Sequence, residues 1–257
     1  MPPKEHLIWD LSGTLFMPSK EGMSPTELAD YSFLFLMWSG KKEATHLDTI
    51  AFQVLTLLNK HLKPSQEVSY IHTGAILPEI VRLNLAGMMS CQEALTITLE
   101  FFSTWAPQNL SKNDAQQVRI MLEIFFNPNS LARCMKPLQR VVDLLLRSAE
   151  KKIPHYILSN WDKDSFAPFY HIYKDSVLAS FSQDHIVISA DTGYVKPDRN
   201  IYSWFLTHKH LDPGSCLFLD DQLENIEAAA SVGIEGLHIQ RDRLELVTEG
   251  LQRRGLI

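Results

Sequence analysis

Short apolar runs that each end in a polar residue punctuate this chain, and helical periodicity fills the space between them. His6-Leu7-Ile8-Trp9 ends in Asp10, Tyr156-Ile157-Leu158 in Ser159-Asn160, Cys216-Leu217-Phe218-Leu219 in Asp220-Asp221, and Lys196-Pro197-Asp198 follows a turn at Gly193. A short apolar run that is not amphipathic suits a strand buried on both faces, and open α/β sheets bind ligands at the carboxyl ends of such strands. From Pro137 onward the pattern predicts helix 137–151, strand 154–158, strand 186–190, helix 198–210, strand 216–219, helix 222–232 and a last strand at Leu237-His238-Ile239. This alternation predicts an α/β fold, a parallel sheet with right-handed crossovers and helices on both faces.

The first strand and its turn occupy roughly residues 6–15, and the next strand bearing a polar end begins only at 154. The interval opens with Ser24-Pro25-Thr26-Glu27, where Ser caps, Pro suits the first helical position and Glu completes a capping box. Leu47, Ile50, Ala51, Val54, Leu55, Leu57 and Leu58 then recur at helical spacing, as do Leu95, Leu99 and Phe102, and Val118, Met121, Leu122 and Phe125. The expected organisation is a discontinuous core, residues 1–16 and 133–257, interrupted by an all-helical insert, residues 17–132.

Composition narrows the function. Apolar residues make up 45% of 257 and charged residues 21%, the balance of a globular chain able to bury a large core. With 24 basic against 30 acidic residues, a net charge of −6 excludes a broad basic footprint for nucleic acid, so any phosphate site must be local. Cys91, Cys134 and Cys216 show no C-x-x-C spacing and read as reduced thiols, which points to the cytoplasm. Tyr31 to Trp38 is the most apolar run, far short of the ~20 residues of a membrane span, and Met1-Pro2-Pro3-Lys4-Glu5 has no signal-peptide pattern.

Asp10-Leu11-Ser12-Gly13-Thr14-Leu15, the isolated Ser159, Lys196-Pro197 and Asp220-Asp221-Gln222-Leu223-Glu224-Asn225, in that order, resemble the haloacid dehalogenase superfamily, in the subfamily whose helical cap follows the first motif. The resemblance covers the whole chain and implies a Rossmann-like core with an inserted cap. It implies a phosphatase with Mg²⁺ as cofactor. Asp10 would be the nucleophile that forms an aspartyl-phosphate, with Asp10, the Ser12 carbonyl, Asp220 and Asp221 holding the metal. Lys196 would pair with the phosphoryl group and Asp10, while Ser159 and the amides after Asn160 would hold phosphoryl oxygens. Thr14 would fix the turn below Asp10.

One position departs from the phosphatase pattern: Ser12 stands where phosphatases of this superfamily carry a second Asp, the general acid and base. An alcohol does that work poorly near neutrality, and such groups typically contribute ~10²–10⁴-fold. Ser12 leaves several outcomes open: good leaving groups such as aryl or acyl phosphates, an acid supplied by substrate or cap, or a long-lived covalent intermediate. Two further readings stand beside the phosphatase. One is metal-independent dehalogenation, against which the pair Asp220-Asp221 argues; the other is an impaired site that binds a phosphorylated ligand or a protein. The partner expected is a phosphorylated small molecule or protein side chain, with no nucleic acid and no membrane span. Trp161 is a candidate to stack on an aromatic leaving group, and Phe33, Phe35, Met37 and Trp38 to roof a substrate or form a dimer patch, against plain helix packing.

Overall fold

The computed structural model describes residues 5–21, 23–24, 31–39, 44–62 and 75–257. Five strands form one parallel sheet: β1 (His6–Trp9), β4 (His155–Ser159), β5 (Ile186–Ile188), β6 (Cys216–Asp220) and β7 (Glu235–His238), in the order β5-β4-β1-β6-β7. β1 lies at the centre, with Trp9 opposite Ile157 of β4 on one side and Leu219 of β6 on the other. Strand periodicity explains the continuous apolar runs. Leu7, Trp9, Ile157, Leu217 and Leu219 enter one apolar cluster, while Ile8, Tyr156, Leu158, Cys216 and Phe218 enter the cluster on the opposite face.

Helices cover both faces. α7 (Gln139–Ala149), α8 (Lys163–Tyr173) and α12 (Leu244–Arg253) contribute Val141, Leu145, Phe169, Val247 and Leu251 to the first cluster. The second takes Ile201, Tyr202 and Phe205 from α10 (Arg199–Lys209) and Ala229 from α11 (Leu223–Ala230).

Between β1 and β4 run α1 (Ser32–Ser39), α2 (His46–Leu57), α3 (Glu79–Leu85), α4 (Cys91–Asn109), α5 (Lys112–Phe125) and α6 (Pro128–Cys134). Thr45 with Asp48 and Ser90 with Glu93 form reciprocal capping boxes that start α2 and α4. Residues of α1 to α5, Phe33, Ile50, Val54, Ile80, Phe102 and Leu122 among them, share an apolar cluster of their own. By contrast, α6 sends Leu131, Ala132 and Cys134 into the sheet-side cluster. The excursion is fastened where it leaves and returns: β2 (Phe16–Pro18) pairs antiparallel with β3 (Met135–Pro137), Phe16 opposite Pro137.

The structure revises several expectations. The strand expected over 186–190 stops at Ile188, because Ser189 to Thr192 form a helical turn, α9, ended by Gly193 in the left-handed region at φ 81°. The helix start expected at Ser24-Pro25-Thr26-Glu27 lies outside the described residues, as do the side chains of Phe35 and Trp38. Phe33 and Met37 are buried in the helical cluster, so they pack rather than face a substrate. Among the described residues no helix is long and apolar enough to cross a membrane, and Cys91, Cys134 and Cys216 are free thiols.

Phe205 is fully buried in the outer cluster, away from the polar strand ends. Phe205→Ala should lower stability by about 3–5 kcal/mol, read from the midpoint of urea unfolding.

Candidate active site

The polar ends of β1, β4 and β6 meet at one edge of the sheet, as parallel neighbours in register must. The Asp10 amide continues the ladder by donating to the Leu219 carbonyl at 2.9 Å. After it the chain closes a tight loop in which the Gly13 N–H donates to the Phe16 carbonyl at 2.7 Å and the Phe16 N–H to the Leu11 carbonyl at 2.8 Å. Gly13 is required there twice over. Its φ is +91°, and a Cβ would lie 2.3 Å from Asp221 Oδ2.

Lys196 Nζ donates to Asp10 Oδ1 at 2.7 Å and to Asp220 Oδ2 at 2.6 Å, and lies 5.2 Å from the centre of the Phe218 ring. Ser159 Oγ donates to the same Asp10 oxygen at 2.8 Å. The first turn of α11 holds Asp220 in place: the Gln222 N–H donates to its Oδ1 at 2.8 Å, and Asn225 Nδ2 reaches both carboxylate oxygens at 3.0 Å. His238, opposite Asp220 in β7, lies with Nε2 2.9 Å from the Asp221 carbonyl. Carboxylate oxygens of Asp10, Asp220 and Asp221 lie within 4.8 Å of one another.

Burial sets the electrostatics. Asp10, Lys196 and Asp220 are at most 3% exposed. Desolvation raises the Asp10 carboxyl well above the usual carboxylate range; Lys196 opposes this, while Asp220 and Asp221 add to it. The Asp221 carboxyl is raised in the same way, by burial and then by Asp220. Burial alone would lower the Lys196 ammonium, but Asp10 and Asp220 outweigh it and hold it above its ordinary value. Three carboxyls crowd together here, burial and this crowding raise two of them despite Lys196 and, at Asp221, Arg241, and this all-oxygen donor set suits a hard divalent cation.

Of the residues expected at the site, Asp10, Ser159, Lys196, Asp220 and Asp221 converge. Ser12 and Thr14 lie buried in the Asp10 loop, and the hydroxyls of both lack a hydrogen-bond partner among the described residues. Two expectations change. Trp161 is fully buried, its ring centre 4.4 Å from that of Phe169 and its Nε1 donating to Ser165 Oγ at 2.9 Å, so it packs under α8 and does not stack on a substrate. The Trp161 amide, expected among the phosphate-holding amides, instead donates to Ser189 Oγ at 2.9 Å. The side chain of Asn160 faces the Lys196 backbone. Sequence reasoning missed His238 and left Asn225 without a role, although Asn225 sits five residues beyond Asp220, where a helix start can turn it back.

This architecture is the haloacid dehalogenase fold. A HAD-family enzyme of Bacteroides thetaiotaomicron, solved with magnesium and inorganic phosphate, is similar over 92% of this chain and 94% of its own, with a TM-score of 0.55 and 16% identity. A dehalogenase is similar over 95% and 88%, with a TM-score of 0.53 and 13% identity. In sequence, 106 residues are 31% identical to a sesquiterpene phosphatase of Aspergillus oryzae, covering 41% of this chain. That match spans 52%, about half, of the relative's length. No protein-family model matches the chain.

Gly13→Ala should cost about 1–3 kcal/mol through backbone strain and displacement of Asp221, seen as a lower midpoint of urea unfolding. An unchanged midpoint would mean that the loop and Asp221 adjust without cost.

Proposed function

We propose that the protein is a Mg²⁺-dependent hydrolase of phosphate monoesters, acting through an aspartyl-phosphate on Asp10. The observation that carries this reading is the Lys196 ammonium shared by the Asp10 and Asp220 carboxylates, with the Ser159 hydroxyl on the same Asp10 oxygen. Asp10 Oδ attacks phosphorus in line, a P–O bond forms, and the bond to the leaving oxygen breaks. Water then hydrolyses the acyl phosphate and returns the carboxylate. Lys196 and Ser159 place positive charge and a donor where the phosphoryl oxygens gather charge. Asp10, the Ser12 carbonyl, Asp220 and Asp221 would hold Mg²⁺, which would supply charge neutralisation at the phosphoryl oxygens.

Ser12 directs the substrate preference. Its hydroxyl does not protonate a departing alkoxide, so substrates whose leaving group needs no proton, aryl and acyl phosphates and phosphoanhydrides, are favoured. The similarity to a sesquiterpene phosphatase adds terpenyl phosphates to the substrates worth testing. Residues 17–132 would form the cap over the core of residues 1–16 and 133–257, except that α6, at their junction, packs with the sheet-side cluster. The three clustered carboxylates favour a metal-dependent reaction over metal-free dehalogenation.

Phosphate release from aryl, acyl, sugar and terpenyl phosphates, with Mg²⁺ and with chelator, tests the reading. Turnover should require Mg²⁺ and vanish in Asp10→Asn; chelator-resistant turnover, or wild-type rates in Asp10→Asn, overturns it. Ser12→Asp should raise turnover of alkyl phosphates by ~10²-fold or more and shorten the life of any covalent intermediate. Unchanged alkyl turnover in a folded Ser12→Asp variant removes Ser12 as the cause of the preference.

A further inference from the structure

The segment that carries Lys196 is held from two sides, by a side-chain amide and by apolar packing. On one side, Asn160 Oδ1 accepts from the Lys196 backbone N–H at 2.8 Å and Asn160 Nδ2 donates to the Lys196 carbonyl at 3.0 Å. A single side-chain amide thus pairs with both backbone groups of the residue whose ammonium joins the two carboxylates. On the other side, Val195, 2% exposed, is packed into the apolar cluster of the helical excursion, although its neighbours in sequence belong to the sheet edge. Lysine is a long, freely rotating stem, so a fixed backbone at its root limits where the ammonium can go.

The loop bearing Asn160 is in turn seated against the helices. The Trp161 N–H donates to Ser189 Oγ, and Ser189 Oγ donates to the Leu85 carbonyl at the end of α3 at 2.6 Å. Gly87, in the corner between α3 and α4, approaches the turn after β5 so closely that a Cβ there would lie 2.4 Å from the Ala190 carbonyl oxygen. At the start of α4, the Cys91 N–H donates to Asp164 Oδ2 at 2.8 Å, and its thiol donates to Asp162 Oδ1 at 3.2 Å. The corner of the excursion therefore rests on both loops that frame Lys196.

We propose that Asn160 and Val195 are positioning residues for Lys196, which make the seating of the helical excursion on the sheet edge set the place of the ammonium between Asp10 and Asp220. The catalytic meaning of this rests on the function proposed above, but the geometry can be tested without turnover.

The test compares the full chain with Asn160→Ala and Val195→Ala. It follows acetylation of each lysine by acetic anhydride over time, read by mass spectrometry with the exposed lysines as internal standards. Lys196 should be acetylated roughly 10-fold faster in Asn160→Ala, the scale of losing two hydrogen bonds, and severalfold faster in Val195→Ala, with other lysines unchanged. On a substrate that turns over, kcat should fall by a similar factor with KM within about twofold, a split that general loosening of the fold does not give. Wild-type acetylation of Lys196 in either folded variant overturns the proposal, even if that variant is inactive. If the wild type releases no phosphate while Lys196 becomes reactive in both variants, the positioning role stands and the proposed function fails.

Discussion

A buried ammonium between two buried carboxylates is the constraint around which the sheet edge is organised. Lys196, Asp10 and Asp220 have almost no access to water, so each charge depends on the others for what hydration would otherwise supply. Breaking one side of such a pair costs about 3–5 kcal/mol, because a charge is stranded in a medium that solvates it poorly. The neighbours act on that problem: Ser159 adds a donor to Asp10, while Asn225 and the start of α11 add donors to Asp220. Burial and Asp220 raise the Asp221 carboxyl against the pull of Arg241 and Lys196, and a bound cation would favour its charged form.

The parallel sheet makes the cluster possible. Because β1 pairs with β4 on one side and β6 on the other, side chains just past the ends of three strands are brought side by side without any loop having to find its partner. The two apolar clusters on either face hold those strand ends in place. Rigid packing below and charge above are two parts of one arrangement.

Much of this was legible in the chain because three of the site residues each follow a short apolar run of the kind a buried strand shows. Asp10, Ser159 and Asp220 could be placed at a sheet edge for that reason, and Lys196 by motif order. Direction was the harder quantity. Trp161 follows Ser159-Asn160 directly, but the chain turns after the strand, and the indole goes beneath α8 into a nest of aromatic rings. Adjacency in sequence does not fix the face. The partner of the Asn160 side chain escaped for a related reason: it is the backbone of a residue far along the chain, and no pattern marks a backbone partner. Strands β2 and β3 escaped because each has three residues and finds the other only after the whole helical excursion. Pro168 and a mixed aromatic sequence disguised α8.

The pairing of β2 with β3 has a consequence for how such a chain can change. Since the outgoing and returning strands are hydrogen-bonded to each other, the two ends of the excursion stay a fixed short distance apart whatever lies between them. The entropy of closing a loop grows only with the logarithm of its length, so the sheet senses the join and hardly the number of residues beyond it. Helices there can be lengthened, shortened or exchanged over generations while β1 keeps its register and Asp10 its neighbours at the sheet edge.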